Sequence, residues 1–240
     1  MSYEPAADAD ALRALAQNLG LAEAAEAIVS WASPALRLTE TDAASASYLG
    51  PPAAGPADFV WPEFQGAPLT ALACLDLAAM PALHEATDLP PRGALLFFAD
   101  LRQQGELTDS QGLPHNGGSC ALVATRGPVA PDPTSAPAEL RHLLTVPHPE
   151  IALELGLTEE LYDAYEMLWH VQAGMLRTPP WQTLSYSMGH PHWVQDPGDP
   201  ELLLLLQIDV TLSGTGSRRR LFFVGDPADI MGTFEVVVQW

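Results

Sequence analysis

Lysine is missing from this chain of 240 residues, and its ten basic residues are all arginine. Against 30 acidic residues they leave a formal net charge of −20. A field of that sign repels phosphate backbones and anionic headgroups, so neither nucleic acid nor a membrane surface is an expected partner. A basic protein partner fits it, while the plainer consequence of the charge is solubility. Cysteine is almost as scarce. Cys74 and Cys120 sit far apart in the apolar stretches LACLDL and CALVAT, and no Cys-x-x-Cys occurs. Two small buried thiols are expected, not a zinc site or a redox pair. Long hydrophobic runs are lacking too. The longest aliphatic run, Leu202–Leu206, falls far short of the ~20 residues of a spanning helix. The acidic N-terminus lacks the basic and apolar regions of a signal peptide, so a soluble cytoplasmic protein is expected. No Gly-x-Ser-x-Gly elbow, phosphate loop or dinucleotide fingerprint is present. The prolines of GPPAAGP remove the N–H groups that a phosphate nest needs. No cofactor is implied.

What is there suffices for a core. Hydrophobic residues make up 48% of the chain and charged ones only 17%, which suits one large domain or two small ones and excludes a disordered polyelectrolyte. Apolar spacing predicts a helix over 8–19, capped by Asp8 or Asp10, and a second over 21–32, ended by Ser33-Pro34. A short strand over 35–39 follows. Residues 43–68 read as a loop anchored by Tyr48, Phe59 and Trp61. Strands are predicted over 69–77, 94–99 and 120–125. The proline-dense stretch GPVAPDPTSAPAE (127–139) reads as a linker. Helices are predicted over 150–155 and from Thr158 to about Gly174, then strands over 202–212, 220–224 and 233–239.

An order of motifs recurs. Leu49-Gly50-Pro51-Pro52 resembles Met188-Gly189-His190-Pro191, and LACLDL resembles LLQIDV. Leu96-Phe97-Phe98-Ala99 resembles Leu221-Phe222-Phe223-Val224, with Asp100 and Asp226 after them. Each half ends in a valine-bearing strand, ALVAT or EVVVQW, and unequal spacings cost little in surface loops. The expected fold is α+β: one domain over 1–240 made of two similar structural repeats, about 1–130 and 140–240, with antiparallel sheets and flanking helices.

The stretches WPEFQGAPLTALACLDLAAMP, LPPRGALLFFAD, SMGHPHWVQDP and LLLLLQIDV…LFFVGDPADI together resemble the YwqG-like family, a bacterial domain of unknown function. The match runs in order through most of 45–240. Three places depart from its pattern: Cys74 stands where members carry Gln, His190 where they carry Tyr, and Gly50-Pro51 where a double Gly commonly precedes the first Pro. The resemblance implies an α+β fold and brings no reaction, cofactor or catalytic residue. It also implies proximity to secreted-toxin and immunity genes, and it marks Gln195 as a polar residue of interest.

Several candidates for chemistry remain. His190 and His192 have a spacing that metal sites use, and in a strand they would share a side. Nothing near them supplies a third ligand at a recognised spacing. The repeat sets His190 against Pro51, which makes them weak metal candidates in a turn shaped by Gly189 and Pro191. Gln207 and Asp209 share a strand face. With Asp76 and Gln195 they are candidates for a polar cleft between the repeats. The competing reading has Asp76 and Asp209 ending their strands and accepting turn N–H bonds. Arg218-Arg219-Arg220 reads as a solvated hairpin turn, with a grip on an acidic group as the alternative. Two functions stay open: a non-catalytic interaction module, of the immunity type, that binds a basic protein; and a small-ligand binder or enzyme using the inter-repeat cleft.

Overall fold

The computed structural model describes residues 5–54, 59–102, 120–173, 185–193, 202–211 and 218–239. The chain starts with α1 (Ala9–Asn18), where the Asp8 carboxylate accepts the Ala11 N–H at 2.9 Å, and α2 (Ala25–Trp31). Strand β1 (Ser33–Glu40) follows at once, then β2 (Tyr48–Leu49), β3 (Pro52–Ala54), β4 (Glu63–Phe64) and β5 (Ala67–Pro68). Next come β6 (Thr70–Asp76), a 3-10 turn (Leu77–Ala79), α3 (Pro81–Ala86), β7 (Ala94–Ala99) and β8 (Cys120–Thr125). After β9 (Ala130–Pro131), β10 (Ala136–Thr145) leads to α4 (Pro149–Glu154) and α5 (Tyr162–Gln172). The chain closes with β11 (Tyr186–Ser187), β12 (Leu203–Thr211), β13 (Arg218–Gly225), α6 (Ile230–Thr233) and β14 (Glu235–Gln239).

Ten strands join in one sheet, in the order β14-β13-β12-β11-β1-β10-β2-β6-β7-β8. Every pairing in it is antiparallel. Two long strands, β1 and β10, pair at its centre from Ser33↔Thr145 to Glu40↔Ala138. A two-residue strand flanks each, and a three-stranded meander lies beyond. Register shifts between Ala71 and Ala73 in β6, and between Leu204 and Leu206 in β12, add local twist that helps the sheet curl. The inner faces of the two meanders meet: Leu75, Leu95 and Phe97 share a core with Leu206, Leu221 and Phe223, and the Phe97 and Phe223 rings lie 5.0 Å apart, edge to face. Ile230 and Phe234 join that core beside Leu122, so α6 touches β8 and the sheet is nearly closed into a barrel.

Each outer face has its own cover. Helices α1, α2, α4 and α5 pack with Leu144 and Val146 at the end of β10. Phe59 and Trp61 pack on Phe98, and Trp193 packs on Phe222 at 4.4 Å. Cys74 and Cys120 are both buried. Among the described residues no helix is long and apolar enough to cross a membrane.

The α+β class with antiparallel strands agrees with expectation, in one large curled sheet. The expected linker over 127–139 does not hold. Its last residues begin β10, a central strand, and Ala130–Pro131 pairs with β3. Proline is tolerated there because Pro137 pairs with Tyr48 on one side while its carbonyl accepts the Thr41 N–H, and neither contact needs an N–H from the proline.

Candidate functional site

Two polar assemblies are built on this sheet. The first is a cleft of about 440 Å³, within the usual range of ligand sites. Leu36 of β1 and Leu140 of β10 line it with Met188, and Asp76, Glu139 and His142 are its ionisable groups. Pairing of β1 with β10 sets Leu36 against His142. Asp76 ends β6, and its Oδ1 accepts the Ala78 N–H at 3.1 Å, capping the 3-10 turn. Ser47 Oγ accepts the Asp76 N–H at 2.9 Å, while its carbonyl accepts the Ala138 N–H. Ser45 Oγ donates to the Ala138 carbonyl at 2.6 Å. The wall that carries Asp76 is thus tied to β10. Met188 comes from the other side in a left-handed conformation (φ 64°), which is uncommon for a side-chain-bearing residue. Glu139 is ion-paired with Arg141, and among the described residues no arginine lines the cleft. A hollow of similar size beside Val60, Trp61 and Cys120, about 460 Å³, offers one carboxylate, Glu63.

The second assembly is buried. Antiparallel pairing sets Asp209 opposite Arg220, and Arg220 Nε donates to Asp209 Oδ1 at 2.9 Å. Arg220 Nη1 also lies 2.9 Å from His192 Nδ1 and donates to the His192 carbonyl at 3.2 Å. A guanidinium cannot accept, so His192 Nδ1 does and the ring proton sits on Nε2. That atom faces His170 Nδ1 at 3.3 Å, which assigns the His170 proton to its own Nε2. The His192 ring stacks on Trp169 at 3.8 Å, and Gln207 Oε1, fully buried, accepts the His192 N–H at 2.8 Å. Burial, reinforced by Arg220, holds His192 well below the usual histidine pKa. Burial lowers His170 as well, against the pull of Glu166.

The candidate residues are therefore divided. Asp76 lines the cleft and makes the turn N–H bond that the competing reading gave it. Gln207 and Asp209 share a face as expected, but that face belongs to the buried assembly and not to the cleft. Gln195 lies outside the described residues. His190 and His192 do not act as a pair. His190 Nε2 donates to the Trp31 carbonyl at 2.9 Å, while His192 belongs to Arg220 and His170. Among the described residues no three His, Cys, Asp or Glu side chains are placed to share a metal ion.

Two residues were misjudged from sequence. His192 is the hub of the buried assembly, not an incidental turn residue, and Arg220 is a strand residue 7% exposed, not part of a solvated turn. A signal for Arg220 existed: equal steps either side of Gly214–Thr215 put Asp209 opposite Arg220 in a hairpin. No such signal existed for His192, whose partners lie 15 to 28 residues away in sequence.

The profile of a family described as a domain of unknown function (DUF1963) matches residues 47–215. No curated protein matches the chain.

Proposed function

The chain belongs to the DUF1963 family, and from that premise we propose that it is a non-catalytic binding module for a basic protein, with the cleft over the central strands as its contact site. One observation carries this reading. A cleft of about 440 Å³, lined by Asp76 and Glu139 and, among the described residues, by no arginine, lies in a chain of net charge −20. Such a field speeds encounter with a cation and rejects anions, and a concave site concentrates it. Kinship with the YwqG-like group, a cytoplasmic setting and an immunity-type role, masking a basic toxin, are the finer parts of the proposal.

The two-repeat architecture is another part, supported by matched hydrogen bonding. Tyr48 sits opposite Cys74 and Tyr186 opposite Gln207, both tyrosines buried. Leu38 N donates to the Ser185 carbonyl as Ala138 N does to that of Ser47. The match moves the motif alignment by one residue. Gly50 N bonds the Leu72 carbonyl and Met188 N that of Leu204, so Met188, not Gly189, answers to Gly50.

The test is affinity capture from the native host at low salt and again at about 0.5 M, where the Debye length falls well below that at physiological salt. A basic protein retained at low salt and released at high salt is expected. Recovery of no specific partner, or of one indifferent to salt, would overturn the reading. The cleft volume also favours a second reading, a small organic ligand. Mass spectrometry of protein purified from the host and denatured gently tests it, and the absence of any stoichiometric small molecule would count against it.

A further inference from the structure

We infer that the cleft receives one arginine or lysine side chain of the basic partner, its stem against Leu36, Leu140 and Met188 and its charged head on Asp76. The inference rests on the binding-module reading and names what that module grips. Its starting point is the mismatch of lining and charge. Most of the lining is apolar, with carboxylates at the wall. A long basic side chain has that same division, an aliphatic stem ending in a cation, and it gains from both parts at once.

The two carboxylates differ. Glu139 already has Arg141 beside it. Asp76 has one oxygen on the Ala78 N–H, and no cation pairs with its carboxylate among the described residues. The chain contains no lysine, and among the described residues no arginine reaches the cleft lining. A cation supplied from outside would complete Asp76. Asp76 is also held in place beforehand: its backbone is bonded to Ser47, and that segment is bonded to β10 through Ser45 and Ala138. A fixed carboxylate spares a ligand the ordering cost that a mobile surface acid would impose.

The probes are Nα-acetyl-arginine methylamide, Nα-acetyl-lysine methylamide and Nα-acetyl-citrulline methylamide. The last is a neutral isostere of the first. Each is titrated at millimolar concentration into the uniformly ¹⁵N-labelled full chain, followed by amide chemical shifts. Saturable shifts confined to 45–47, 76–79, 139–142 and 188 are expected with arginine or lysine. Citrulline should bind about tenfold more weakly, the worth of one charge-assisted hydrogen bond. Asp76→Asn keeps the turn cap and should lose about the same factor. Ala79→Leu, at an exposed position of the lining, should block binding with the charge intact. Glu23→Gln removes a charge elsewhere and should leave binding unchanged. Shifts that spread without saturation, equal binding of citrulline and arginine, or equal effects of Asp76→Asn and Glu23→Gln would overturn the inference. If a salt-sensitive partner is captured equally by wild type and Asp76→Asn, the inference fails and the binding-module reading stands. If arginine binds at Asp76 but no partner is captured, the binding-module reading fails, and of the inference only the cleft's selectivity for a basic side chain stands.

Discussion

Substituting Arg220 by leucine removes the guanidinium that Asp209 and His192 both face. The Arg220 side chain is 8% exposed and that of Asp209 16%, so the pair lies on the buried side of the ion-pair range. Breaking such a pair from one side costs about 3–5 kcal/mol, because a charge stays buried without its counter-ion. The His192 Nδ1 left without its donor lies within that figure. Domains of this kind hold about 5–15 kcal/mol in total, so R220L should still fold in mild conditions. With a urea slope of about 2 kcal/mol/M, the unfolding midpoint should fall by roughly 1.5–2.5 M. The double variant D209L/R220L removes both charges and should recover about half of the loss. The assay is urea denaturation followed by tryptophan fluorescence, which reports on Trp169 stacked over His192. If R220L costs less than about 1 kcal/mol, and the double variant no less, the pair behaves as a solvated surface bridge and the buried assembly is not a structural lock.

Three further predictions follow from the same geometry. His170, His190 and His192 are all held below the usual histidine pKa in the folded state. The unfolded chain therefore takes up protons near pH 6.5 that the folded chain refuses. Stability is complete above about pH 7 and falls on acidification, by about 1.4 kcal/mol per pH unit for fully buried His192 alone. Urea midpoints that stay level between pH 7 and 5 would contradict this, and His192→Gln should flatten the slope. Phe97→Ala and Phe223→Ala should each cost about 3–5 kcal/mol in denaturant titrations, and the double variant less than their sum, because the rings touch across the barrel. Gly93→Ala puts a Cβ 1.8 Å from the Thr125 carbonyl at φ 123°. Thermal denaturation should show a loss well above the 1–2 kcal/mol of the backbone conformation alone, while Gly66→Ala, with open space around it, should show only that smaller loss.

Elements that signal themselves locally were legible. The Asp8 cap and the Leu12, Leu15 and Ala16 face give α1, and the apolar runs give β7 and β8 at the observed bounds. Strand β10 was hidden because its first residues, with Pro137, close a proline-dense stretch that imitates a linker, and only pairing with β1, about a hundred residues earlier, makes it a central strand. The cleft was legible in Asp76 alone. Leu36 and His142 reach it through that long-range pairing, and Met188 through a left-handed conformation of its own, one residue before Gly189. Periodicity reports what one element buries. It does not report which distant element stands opposite, and the cleft and the His192 hub are both defined by that.

The most direct test of the binding site is hydrogen–deuterium exchange of the full chain, alone and with the captured basic partner. The binding-module account predicts slower exchange in the partner's presence at 45–47, 76–81 and 139–142, with little change in the helices over the far end of β10. Protection confined to those helices, or none at the cleft while the partner is bound, would contradict it.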